Sequence, residues 1–136
     1  MMQLILWIRP YAKYVLAVWI ITIISVSSIP SLPTLKIHTA KADIRLDYLI
    51  HFCEYGFLSF MAFLSFTERS FTINYKKMLV ITVCLTVFAL IDEFHQKFIP
   101  GRSFNPRDIL SNITGIIAVL IFSLLIFRKI RERIKD

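Results

Sequence analysis

Four long runs of apolar residues, separated by short polar stretches, dominate this chain. The first covers residues 11–29, "YAKYVLAVWIITIISVSSI", and ends in the breaker "IPSLP". The others cover residues 47–66, 78–95 and 108–127. Each is close to the roughly 20 residues that carry a helix across the hydrocarbon core of a bilayer. The connections, residues 30–46, 67–77 and 96–107, are short. The pattern therefore predicts an all-α membrane protein: one domain over residues 1–136, with four transmembrane helices in a small bundle.

The polar positions inside these runs are not scattered. At about 100° per residue, Asp47, His51, Glu54, Tyr55 and Ser59 share one face of the second helix. Thr82, Thr86, Ala89, Glu93 and Gln96 share one face of the third, with Asp92 beside them and His95 pointing away. Asp108, Asn112, Gly115 and Val119 form a narrow stripe on the fourth. A charge held deep in a bilayer costs on the order of 3 kcal/mol or more, so three such stripes are expected to face one another. The first helix has no comparable stripe and reads as packing and anchor.

Composition supports the membrane reading, since 57% of the 136 residues are hydrophobic, against about 45–50% in soluble domains. The net charge of +7 does not point to nucleic acid, because the basic residues flank the apolar runs and form no face. If both termini lie inside, ten of the 16 Lys and Arg residues are cytoplasmic, including the closing "RKIRERIK". The six outside are Lys36, Lys41, Arg45, Lys97, Arg102 and Arg107. That bias predicts an N-in, C-in topology, with the polar ends of helices two, three and four outside. The first run also has features of a signal peptide, with Arg9 and Lys13 before it and Val26-Ser27-Ser28 near its end. Its length favours a retained span. Cys53 and Cys84 lack any metal or redox spacing and read as buried thiols acting as small hydrophobes.

Each polar residue has a plain reading beside the functional one. Asn105-Pro106-Arg107-Asp108 is a good helix start, which could account for Asp108 through the helix dipole. Pro100-Gly101 is a turn pair. Arg102 could hold the lip of the bundle by pairing with Asp92 or Glu93, and His51 could be an interior hydrogen-bonded histidine. His38 lies in the first loop. Glu54 and Glu93 together are harder to explain, because one buried pair would fix the register of the helices. No HExxH, no paired histidines and no cysteine ligands are present, so neither a metal nor a cofactor is expected. Acid–base chemistry needs only a carboxylate beside a histidine or a second acid, and Glu93, His51 and Asp92 are the candidate catalytic groups. Asp47, Glu54, Tyr55, Gln96, Arg102, Asp108 and Asn112 are the candidate ligand-binding groups.

Two segments carry a resemblance. "LDYLIHFCEYGFLSF" looks like a D-x-x-x-H-F-x-x-Y-x-x-L motif. "IDEFHQKFIPGRSFNPRDILSNITG" looks like D-E-x-x-Q-x-F-x-P-G-R-x-x-x-x-x-D-x-x-x-N-x-x-G. The second has many fixed positions at fixed spacing. Together with "SSIP" after the first run, they resemble the VanZ-like family of bacterial integral membrane proteins over residues 10–127. The family motif falls on Asp47, His51, Phe52, Tyr55, Asp92, Glu93, Gln96, Pro100, Gly101, Arg102, Asp108, Asn112 and Gly115.

The resemblance implies a multi-pass protein of the bacterial cell membrane associated with glycopeptide resistance, notably to teicoplanin. It does not supply a reaction. The combined expectation is an outward-facing polar pocket that binds a membrane lipid, a lipid-linked cell-wall precursor or the glycopeptide antibiotic itself. The alternative is a membrane-embedded acid/base enzyme that modifies such a lipid or precursor.

Overall fold

In a computed structural model, residues 2–31, 36–38 and 43–135 are described, with the backbone alone for 36–38, 43–45 and 135. Four helices account for most of them: helix one (Met2–Ser27), helix two (Asp47–Phe66), helix three (Tyr75–Gln96) and helix four (Pro106–Lys135). Each is long and apolar enough to cross a membrane. The four-span, all-helical architecture read from the sequence is the one observed.

The main departures from the sequence reading lie at the two chain-end helices and in the first connection, while helix three also starts three residues earlier, at Tyr75. Helix one begins nine residues earlier than residue 11, because "MQLILWI" is itself apolar and helical, and the chain passes Pro10 through a single 3-10 turn at Arg9–Tyr11. Proline is tolerated there because the first positions of a helical turn need no N–H donor. Helix four continues past residue 127 to Lys135. At 1.5 Å per residue its 30 residues extend roughly 45 Å, against about 30 Å of hydrocarbon. The surplus is the basic "RKIRERIK" segment. Finally, the connection before helix two contains a short antiparallel ladder, β1 (Lys36–His38) with β2 (Asp43–Arg45), Ile37 opposite Ile44. Sequence pattern left this as a plain connection, since three-residue strands are too short to show a period. The side chains of His38, Lys36 and Arg45, and all of Lys41, lie outside the described residues.

Helices two and four share the most extensive contact. It depends on two glycines. Gly115 lies directly against the Phe52 carbonyl and the Gly56 backbone, where any side chain would collide. With little hydrophobic force between helices in lipid, such close backbone approach is a main source of association.

The interior is graded along its length. Toward the 67–74 loop it is apolar, built from Phe63, Leu64, Phe71, Met78, Phe127 and Ile130, with Phe71 and Phe127 edge to face at 5.4 Å. A middle layer of Ile23, Leu58, Ala62, Leu85, Ala89 and Ile116 follows. Beyond it, toward the 97–105 turn, the buried side chains are Tyr55, Asp92, Glu93, Gln96, Asp108 and Asn112. The outer faces carry exposed Val18, Ile21, Leu79, Val83, Ile91, Ile121 and Leu125, as expected where lipid is the solvent. Cys53 and Cys84 are free thiols, but both are exposed on these outer faces. The expectation that they are buried is thus corrected: an apolar run in a membrane helix has a lipid face as well as a core face, and hydropathy does not distinguish them.

Candidate functional site

Helices two, three and four each deliver polar side chains to the same end of the bundle. His51 lies one turn inside the start of helix two, Glu93 lies one turn before the end of helix three, and Asp108 sits in the first turn of helix four. One donor atom from each of the three lies within 4.8 Å of the others. His51 Nε2 is 3.8 Å from Asp108 Oδ2, and His51 Nδ1 is 4.0 Å from Glu54 Oε2. The imidazole is therefore flanked by a carboxylate on each side.

Helix three is joined to the start of helix four through Glu93, whose Oε1 accepts the Asn105 backbone N–H at 2.7 Å. Asn105 is also the helix cap read from sequence, its Oδ1 accepting the Arg107 N–H at 3.2 Å. Beside this group is a second contact, in which the Tyr55 hydroxyl donates to Asp92 Oδ2 at 2.9 Å. Asp92 is buried rather than merely flanking the stripe. Asp92 and Glu93 thus each have one oxygen engaged, and Glu93 Oε2 is buried without a partner.

Many polar atoms of the cluster have no hydrogen-bond partner among the described residues. Glu93 and Asn112 are fully buried, yet Glu93 Oε2 and both Asn112 amide atoms are unpartnered. Asp108 Oδ1, His51 Nδ1, Arg102 Nε and Asn105 Nδ2 are in the same condition. Buried polar groups are nearly always satisfied, and each one left unmade costs about 1–3 kcal/mol. These unpartnered atoms are gathered at one end of the bundle.

The remaining candidates are placed as follows. Asp47 opens helix two, half-buried, with its charge toward the positive end of the helix dipole. Gln96 closes helix three and is buried. Arg102 is turned toward helix one: its Nη2 donates to the Val26 carbonyl at 3.3 Å, and its charge still bears on Glu54 and Glu93. The turn that carries it is held by the Ser31 N–H, which donates to the Pro100 carbonyl at 3.0 Å, and by Gly101 at φ 76°. His95 is exposed. Helix one, which has no polar stripe, contributes through its backbone and through Trp19, whose Nε1 donates to the Glu54 carbonyl at 3.1 Å. Asn105, Val26 and Trp19 are the participants the sequence reading did not place here. Asn105-Pro106 marks a cap, but a backbone donor or acceptor has no signature in sequence.

The three polar stripes meet in one cluster. Two described concavities lie at the opposite end, around Tyr75, Arg128 and Glu132 and around Thr67, Asn74 and Lys77.

Against protein-family models, residues 7–128 match the VanZ/LLP1 family. The chain belongs to the VanZ-like family. Comparison with curated proteins and with solved structures gives no match. Family membership thus covers all four helices of this VanZ-like protein and the whole polar cluster, and it brings no assigned reaction with it.

Proposed function

We propose that this VanZ-like protein acts in the bacterial cell envelope by binding an amphiphile at the polar end of its bundle. With the termini inside, that end faces outward. The ligand would be a lipid-linked wall precursor or a lipoglycopeptide such as teicoplanin, with protection against that antibiotic as the cellular outcome. The observation that carries this reading is that Glu93 and Asn112 are fully buried, with Glu93 Oε2 and both Asn112 amide atoms unpartnered, and that Glu93 stands beside His51 and Asp108. Arg102 supplies a planar donor for a phosphate or carboxylate head group. The apolar outer faces of helices three and four offer a path for an acyl or prenyl chain.

A second reading, acid/base catalysis on such a lipid, is favoured by one specific arrangement: His51 between the carboxylates of Glu54 and Asp108, within reach of Glu93. Here Glu93 is the general base and His51 its partner.

Teicoplanin survival of a susceptible strain carrying wild type, Glu93→Gln or Arg102→Ala, at matched membrane abundance, tests the binding reading. Gln keeps the shape and the oxygen that accepts from Asn105 but removes the charge. Protection by the wild type that falls in both variants supports the site. No protection by the wild type overturns the resistance role. Lipid mass spectrometry of the same strains separates the two readings, since only catalysis leaves a covalently altered lipid.

A further inference from the structure

The cluster is unbalanced in charge. Among the described residues, Glu54, Asp92, Glu93 and Asp108 converge on it, and the basic groups beside them are His51 and Arg102. An anionic head group entering such a site meets more negative charge than positive. An internal His51–Asp108 ion pair is the simplest resolution, but at 3.8 Å it leaves Asp108 Oδ1, Glu93 Oε2 and the Asn112 amide unpartnered.

We propose that His51, Glu93 and Asp108 hold a divalent first-row metal ion, zinc or manganese, with the Asn112 side-chain oxygen as an additional donor. The proposal rests on reading this cluster as a ligand site. Four observations converge on it. Three donor side chains from three different helices already lie within 4.8 Å of one another. Donors around a zinc ion bonded at about 2.1 Å stand about 3.4 Å apart, so a contraction of at most about 1.4 Å closes the set. Asn112 is completely buried one turn below Asp108 on the same helix face, with no protein partner for its amide. Glu54 stands 4.0 Å from the imidazole nitrogen opposite the one facing Asp108, where a carboxylate commonly orients a metal-bound histidine. One imidazole with carboxylate and amide oxygens suits borderline first-row ions better than magnesium or calcium, which take oxygen alone, and the absence of thiolate disfavours copper(I). A bound dication would offset the two ligating carboxylates and let a phosphate or carboxylate approach Arg102.

The test uses the full chain, tag-free and purified in detergent, stripped with chelator and then titrated separately with zinc, manganese and magnesium chloride. Calorimetry gives affinity, and elemental analysis after gel filtration gives stoichiometry. The expected result is one zinc or manganese per chain, at least tenfold weaker magnesium binding, and affinity lowered at least tenfold in Asp108→Asn and His51→Gln. Glu132→Gln, an exposed change at the other end, should leave it intact. The melting midpoint should rise with metal in the wild type and stay fixed in Asp108→Asn, which also establishes that the variant is folded. Substoichiometric uptake, or uptake indifferent to Asp108 and His51, overturns the proposal and leaves the unpartnered atoms to ordered water. These failures differ from failure of the amphiphile reading. A metal-free chain that still gives Arg102-dependent protection removes only the ion, whereas a metal-loaded chain that protects nothing removes only the resistance role.

Discussion

The Tyr55 hydroxyl donates to Asp92 Oδ2 at 2.9 Å, joining helices two and three where the bundle interior changes from apolar to polar. Tyr55 is completely buried and its ring lies 6.1 Å from Phe88. The phenol thus serves both layers, its ring in the middle layer and its hydroxyl in the polar one. Tyr55→Phe keeps the ring and removes the donor, leaving a buried carboxylate oxygen without this bond. The expected loss is about 1–3 kcal/mol, read by denaturant unfolding in detergent micelles. Asp92→Asn in the Tyr55→Phe background should cost less than the two changes summed, because the single changes damage one shared contact.

The two glycines at the crossing of helices two and four should respond unequally to alanine. A methyl group at Gly115 would collide with the Phe52 carbonyl, which is backbone and cannot move aside without separating the helices. A methyl at Gly56 would meet the Val119 Cγ2 at 3.4 Å, ordinary contact with a side chain able to adjust. Gly115→Ala is therefore expected to cost about 1–3 kcal/mol by overpacking, and Gly56→Ala well under half of that. Since Asp108, Asn112 and His51 sit on these same two helices, Gly115→Ala should also disturb the polar cluster. Comparing thermal midpoints of the two variants decides whether close backbone approach or mere small size matters here. Equal midpoints would contradict the crossing as described.

How far the sequence foretold this arrangement depends on the kind of interaction. Apolar run length located all four helices, because the demand that a bilayer span be helical and about 20 residues long is nearly independent of tertiary detail. The 3.6-residue period brought Glu93, Asn112 and His51 to inward faces, because a charge facing lipid is so costly. The same period could not say that Asp92 is engaged by Tyr55 or that Arg102 turns to the Val26 carbonyl. Those depend on helix rotation and on backbone atoms, which carry no residue code. Cys53 and Cys84 show the converse limit, since hydropathy marks them as apolar surroundings without choosing core or lipid.

The turn that carries Arg102 has a conformational requirement that can be separated from its steric one. Gly101 has φ 76°, a left-handed conformation, and it lies against Ser31 so closely that a β-carbon would overlap the serine hydroxyl. Gly101→Ala should cost about 1–2 kcal/mol from backbone conformation alone, plus the clash. Ser31→Gly removes the hydroxyl overlap but also relieves the left-handed φ of 52° at Ser31 itself. The double variant is therefore compared with Ser31→Gly alone, and Gly101→Ala should cost less in that background than in the wild type without becoming neutral. Unfolding midpoints of the three variants check this. Full recovery would mean that the left-handed turn imposes no cost.

The orientation in the membrane is best tested through thiol chemistry, because the native cysteines are favourably placed for it. Cys53 and Cys84 are exposed only on faces that meet lipid, so a charged, membrane-impermeant maleimide should label neither in intact cells. With both changed to serine, a single cysteine introduced at Ser103, exposed in the turn before helix four, should be labelled in intact cells. One introduced at Ser70, exposed in the loop before helix three, should be labelled only after permeabilisation. This outcome follows if the long basic end of helix four, Arg128, Lys129, Arg131 and Arg133, is retained on the cytoplasmic side. It also places the His51, Glu93 and Asp108 cluster toward the outside, where wall precursors and glycopeptides are found. The reverse labelling pattern would put the cluster in the cytoplasm, and any ligand would then have to be sought among the lipids and ions of that side.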